Sequence, residues 1–205
     1  MRTWAPRDHP QRGGWPGASA GGAFRGQTAQ FAERSDRRAR WHDLVHRPAL
    51  RATQAQPGLP GPQELDHHGV YRLPPDGGAL QCLVNLDHPN GLAFSPDERV
   101  LYVSQTPEGS PGAPEITALD WHDGALHNRR RFAVVPEGLP DGFCVDRQGW
   151  LWSSSGAGVC VFDSGGHLLG LVPTPHTASN CTFDLVQRRL FITGGSTLWL
   201  LDLQR

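Results

Sequence analysis

His88–Ser104 reads HPNGLAFSPDERVLYVS, and this stretch decides the fold. It opens on a Pro-Asn-Gly turn, runs apolar through Leu92–Phe94, turns at Ser95-Pro96-Asp97-Glu98 and returns apolar through Leu101–Val103. Short apolar runs bounded by Gly, Pro, Asn and Asp read as paired strands. The same design recurs at Leu139–Ser155 (LPDGFCVDRQGWLWSSS) and at Ala178–Gly194 (ASNCTFDLVQRRLFITG). Each copy is preceded by a strand that enters an Asp/Gly turn: GVYRLPPDGGAL from Gly69, EITALDWHDGAL from Glu115, and GVCVFDSGGHLLG from Gly158.

In the three units Asn90, Asp141 and Asn180 hold one position, and Tyr102, Trp152 and Phe191 follow at a matching distance. The units are 51 and 39 residues apart, the period of a four-stranded propeller blade. Strands are expected at Val70–Leu73, Gly91–Phe94, Leu101–Ser104, Ile116–Leu119, Gly142–Val145, Leu151–Ser153, Val159–Phe162, Leu168–Val172, Leu190–Thr193 and Leu198–Leu201. No stretch has a helical period. The reading is all-β: about three blades of a propeller in residues 53–205, with an irregular N-terminal segment in residues 1–52. A sandwich would not require turns in matched register.

Composition agrees. Pro (18) and Gly (25) are too frequent for a coiled coil, while 7 Trp and 8 Phe call for a packed core. A net charge of −1 gives no basic field to attract nucleic acid. No apolar run approaches the roughly 18 residues of a membrane span, and the N-terminus lacks a signal-peptide core. The four cysteines form no C-x-x-C pair, so a cytoplasmic protein with reduced thiols is expected.

In a propeller the innermost strand of each blade lines the channel. Asn90, Asp141 and Asn180 each stand just before such a strand, so rotation aims one carboxylate and two carboxamides toward the axis. Oxygen donors of this kind suit a hard dication such as Ca²⁺ or Mg²⁺. Asn or Asp before Gly also makes ordinary turns. Repetition at one register position singles out Asn90 and Asp141, and Asn180 less so because it lacks the Gly.

HPNGLAFSPDERVLYVS, GLPDGFCVDRQGWLW, GVCVFD with HLLG, and ASNCTF with RRLFIT together resemble the SMP-30/gluconolactonase/LRE-like family. The resemblance covers about residues 57–205 and implies a six-bladed β-propeller, here N-terminally truncated. It implies metal-dependent hydrolysis of a sugar lactone. Asn90 then corresponds to a metal ligand, and Asp141 to a metal ligand and general base. The metal is first Ca²⁺, with Zn²⁺, Mn²⁺ or Mg²⁺ as other candidates, and the partner is a small-molecule lactone. The family's early Glu and its Ser-Pro-Asn-Asp asparagine are not in this sequence. An inactive fragment or a non-catalytic propeller binding module is the alternative.

The N-terminal segment differs in kind. Met1–Ala52 carries ten Arg against Asp8, Glu33, Asp36 and Asp43, whereas the rest carries nine Arg against sixteen acids. When the degenerate codons of Phe24–Ser35 (FRGQTAQFAERS) are read one nucleotide downstream, they permit F-E-G-K-R-L-N-S-P-N-D, the motif the family resemblance leaves missing. Ser35–Arg51 permits L-T-V-V-R-D-G-T-I-W-F-T-D-P-P-Y-G. A frameshifted translation, corrected between about Ala52 and Gly61, is therefore expected.

Lesser features get plainer readings. His42-Asp43-Leu44-Val45-His46 imitates a zinc helix without a helical pattern, and Pro48 follows it. His67-His68 could ligate a metal, but strand neighbours point to opposite faces. Arg129–Arg131 reads as a solvated turn. Ser153–Ser155 lacks the G-x-S-x-G elbow of a serine nucleophile, and Cys144 and Cys160 read as small core residues.

Overall fold

The computed structural model describes residues 44–47, 67–73, 79–107 and 112–203. Its fourteen strands form four antiparallel meanders. The first sheet holds β1 (Leu44–Arg47), β2 (Gly69–Arg72) and β3 (Gln81–Asn85). The second holds β4 (Pro89–Phe94), β5 (Val100–Gln105), β6 (Glu115–His122) and β7 (Ala125–Ala133). The third holds β8 (Phe143–Val145), β9 (Leu151–Ser155), β10 (Gly158–Phe162) and β11 (Leu168–Pro173). The fourth holds β12 (Asn180–Phe183), β13 (Arg189–Gly194) and β14 (Thr197–Asp202). The arrangement is an arc of a β-propeller. Among the described residues no helix is long and apolar enough to cross a membrane.

The sequence unit and the sheet are out of phase. Each repeat joins the outer strands of one sheet to the inner strands of the next, as β6–β7 run on into β8–β9. The hydrophobic clusters show why the chain tolerates this. One cluster lies between the first and second sheets (Val70 and Leu86 with Phe94, Leu101, Val103 and Leu119). Another joins the second and third (Tyr102, Ile116 and Ala118 with Phe143, Leu151 and Phe162). A third joins the third and fourth (Val159 and Val172 with Cys181, Leu190 and Ile192). The interior is thus a series of sheet-to-sheet interfaces. Leu101 and Tyr102 are neighbours in β5 yet belong to different clusters, because successive side chains of a strand point to opposite faces. Strands buried on both faces read as unbroken apolar runs, and those runs were legible.

Hairpin turns repeat as well as strands. Backbone N–H groups of Glu98, Gly149, Gly166 and Gln187 donate to the carbonyls of Ser95, Asp146, Asp163 and Asp184, all at 2.9–3.0 Å. The donor residue has positive φ in every case, 58° at Glu98, 84° at Gly149 and Gly166, and 55° at Gln187. A side-chain oxygen of the first residue secures the turn from within: Asp146 Oδ1 accepts from the N–H groups of Gln148 and Trp150, both at 2.9 Å.

Strands appear at each of the expected positions, and four more lay outside the expectation. β3 and β7 are outer strands with polar, exposed faces, and β12 is a short inner one. β1 falls within the segment where no strand was expected, and it pairs with β2. The zinc-helix reading of 42–46 fails there, since Leu44–Arg47 is a strand; the remaining residues of 1–52 lie outside the described ones. Arg129–Arg131 is corrected from a turn to part of β7. Arg130 reaches Asp120 at 2.7 Å and Arg131 reaches Glu115 at 2.9 Å across the β6–β7 pair, so cross-strand ion pairing replaces the apolar alternation that would have revealed the strand.

Candidate functional site

The three residues singled out by the repeat sit at the starts of the inner strands. β4 and β12 both lie beside β8. Asn90 falls where the pairing of β4 with β5 slips between Pro89 and Leu92, and a bulge of this kind turns a side chain out of the regular pleat. Gly91 follows for steric reasons. A β-carbon there would overlap the Asp141 carbonyl oxygen and stand 3.1 Å from Gly142 Cα. The backbones that carry Asn90 and Asp141 are therefore in direct contact.

Two buried serines hold Asp141 in place. Ser104 Oγ donates to the Asp141 carbonyl at 2.7 Å, and the Asp141 N–H donates to Ser154 Oγ at 3.0 Å. Both serines are fully buried. One edge of the third sheet is pinned to the fourth by the Gly142 N–H, which donates to the Ser179 carbonyl at 2.8 Å. Sequence reading discounted Ser154 as a nucleophile. Its actual work, positioning a neighbouring chain segment, leaves no motif.

Asp141 and Asn90 are half-buried, and Asn180 is exposed. The Asn180 carboxamide oxygen accepts the Cys181 N–H at 2.8 Å, so its own strand already engages it. The carboxamide also lies against Gly142, where a β-carbon would overlap its Cγ and Oδ1 and stand 2.7 Å from Nδ2. Asn180 thus stands beside the Asp141-Gly142 pair rather than apart from it. The donor chemistry of Asn90 and Asp141, one carboxamide and one carboxylate, fits a hard dication as a partial ligand set.

The remaining candidates separate. His67 and His68 precede β2 and face different partners: His67 is 6.0 Å from the Tyr71 ring, and His68 is edge-on to His88 at 4.2 Å. Burial, then the neighbouring His88, pulls the His68 imidazole below its ordinary value. The hydroxyls of Ser153 and Ser155 are spent on the carbonyls of Ser154 and Gly158. Cys160 is buried, and the Cys144 and Cys181 sulfurs meet at 3.8 Å between the third and fourth sheets.

Residues 19–196 match the SMP-30/gluconolactonase/LRE-like region. The chain belongs to that family. The match begins inside the segment that sequence reading set apart. Among family relatives, the gluconolactonase of Zymomonas mobilis is 37% identical over 139 residues, covering 64% of this chain and 39% of its own. The pentonolactonase XacC of Haloferax volcanii is 31% identical over 156 residues, covering 73% and 50%. A gluconolactonase structure from Xanthomonas campestris superposes with a TM-score of 0.74 at 65% identity, covering 78% of this chain and 53% of that one. The chain thus spans about half or less of the length of these family members.

Proposed function

We propose that this chain carries part of the site of a sugar-lactone hydrolase, with Asn90 and Asp141 as ligands of a divalent cation and Asp141 as the general base. The observation that carries the reading is the backbone contact of the Asn90-Gly91 turn with Asp141, in a chain similar to a gluconolactonase and a pentonolactonase. A bound dication, first Ca²⁺ and otherwise Zn²⁺, Mn²⁺ or Mg²⁺, would supply Lewis-acid stabilisation of charge on the lactone oxygens.

The chain's own residues do the rest. Asp141 takes a proton from the attacking water as the water oxygen bonds to the lactone carbonyl carbon; the ring C–O bond then breaks and the proton passes to the departing ring oxygen. Ser104 and Ser154 fix its main chain from both sides, which holds the point from which the carboxylate extends. Asn90 supplies a neutral oxygen, so it holds a cation without cancelling its charge. Reduced cysteines fit a cytoplasmic location.

One observation favours a second reading. The chain spans 39–53% of the length of the gluconolactonases it resembles, which fits a non-catalytic binding module or an inactive fragment. Hydrolysis of a sugar lactone measured with Ca²⁺, Mn²⁺ and Zn²⁺ in turn decides between them. Metal-dependent turnover supports the lactonase. Absence of turnover together with no metal-induced shift in melting supports the inert reading.

A further inference from the structure

Just ahead of the strand that carries Asn90, the entry to β2 and the end of the β3–β4 connection bring together His68, Asp87 and His88. One ring nitrogen of each imidazole and one carboxylate oxygen lie within 4.8 Å of one another. All three residues are half-buried. We infer that these residues form a second metal site, one that takes a borderline transition dication such as Zn²⁺ rather than Ca²⁺.

The donor set sets the preference. Two imidazoles and one carboxylate are a nitrogen-rich set that suits Zn²⁺ and its transition-metal neighbours, whereas Ca²⁺ takes oxygen ligands almost exclusively. Zn–N and Zn–O bonds of about 2.0–2.2 Å place tetrahedral donors roughly 3.4 Å apart. Donors that already lie within 4.8 Å of one another are close to that spacing, with water completing the coordination.

The scaffold under the site is rigid. The His68 carbonyl accepts the Leu86 N–H at 3.1 Å, and the His88 carbonyl accepts the Thr106 N–H at 3.0 Å. The Asp87 N–H donates to Gln105 Oε1 at 2.9 Å, and Gln105 is itself buried and donates to Thr117 Oγ1 at 2.7 Å. Asp87 Oδ1 lies 2.7 Å from His88 Nδ1, which fixes the orientation of that ring. Gly112 leaves the space that Asp87 Oδ2 fills, since a β-carbon there would overlap it. Ligands oriented in advance by such contacts bind metal more tightly.

The test uses the full chain and Zn²⁺ alone, followed by calorimetry, with Co²⁺ absorption in the visible as a report on imidazole coordination. The expected result is a saturable site that excess Ca²⁺ does not displace. His68→Gln and His88→Gln should each weaken it by about 10–100-fold. His127→Ala, which breaks the stacked surface pair with His122, should leave it unchanged. In the unaltered chain, Zn²⁺ should protect His68 and His88 from diethylpyrocarbonate, a readout that needs no variant to fold. Full Zn²⁺ affinity in His68→Gln, loss of the site in His127→Ala, displacement by Ca²⁺, or modification of both histidines in the Zn²⁺-saturated chain would each overturn the assignment.

Discussion

Gly142 lies directly beneath the carboxamide of Asn180: a β-carbon at position 142 would stand 2.7 Å from Nδ2 and nearer still to Cγ and Oδ1. The carboxamide has little room to retreat, because its oxygen holds the Cys181 N–H at 2.8 Å. Gly142→Ala should therefore displace Asn180 and cost about 1–3 kcal/mol, the usual range for overpacking. Urea denaturation would read it. An unchanged midpoint would mean that the carboxamide swings away freely.

In a preparation with lactone turnover, Asp141→Asn should lower kcat by about 10²–10⁴-fold, the range for loss of a general base. Asn90→Ala should instead raise the metal concentration needed for half-maximal rate by about tenfold, as expected when one of several oxygen ligands is lost. Steady-state kinetics at graded metal separates the two roles. Equal loss of kcat in both variants at saturating metal would reject the division.

The repeated turns make a paired stability prediction. Gln187 holds φ at 55°, a region that costs an L-residue roughly 1 kcal/mol, whereas Gly149 holds 84° at the equivalent place without that penalty. Gln187→Gly should accordingly stabilise the chain slightly and Gly149→Ala should destabilise it. Thermal melts of the two variants should shift in opposite directions.

Acid should loosen these turns. The Ser95 hydroxyl, 2.6 Å from Asp97 Oδ1, holds the Asp97 carboxyl below its ordinary value. The His167 N–H does the same for Asp163, and Asn128 with Arg130 for Asp120. A carboxyl whose folded pKa is depressed contributes stability above its unfolded pKa and loses it as pH falls through the folded value. Stability should thus decline from about pH 4 downward. Asp97→Asn should flatten part of that decline in acid-denaturation curves.

The four cysteines should react unequally. Cys82 is exposed, whereas Cys160 and Cys181 are buried and Cys144 is largely covered. The hydrogen bond with Cys181, then burial, pushes the Cys144 thiol well above its ordinary value. Iodoacetamide should modify Cys82 alone in the native chain and all four after unfolding, as peptide mass mapping would show. Labelling of Cys144 at the Cys82 rate would contradict the burial.

The coding DNA tests the reading of the N-terminal segment. Its shifted frame should spell Ser-Pro-Asn-Asp across the codons of Phe24–Ser35. Any other text ends the idea.

What could be read in advance follows from which interactions leave a trace in residue type. Leu101–Val103 and Val159–Phe162 face sheets on both sides, so burial wrote them as apolar runs. β7 was missed because Arg130 and Arg131 are tied to acids on β6, and a polar outer strand carries no alternation. Asn90 and Asp141 were found because rotation repeats their register position. Asp87 and His88 were not paired with His68 because that encounter needs a connection between sheets, about twenty residues away, and no repeat copies it.

Packing by interfaces has a mechanical consequence. Among the described residues each core cluster joins two adjacent sheets, so cooperativity passes along the arc one interface at a time. The second and third sheets are clamped on both faces. β14, by contrast, turns Leu198 and Leu200 outward at 64% and 50% exposure. Among the described residues, opening should begin where apolar side chains are this exposed and travel inward, leaving the Ile116–Leu151 interface last to exchange its amide hydrogens.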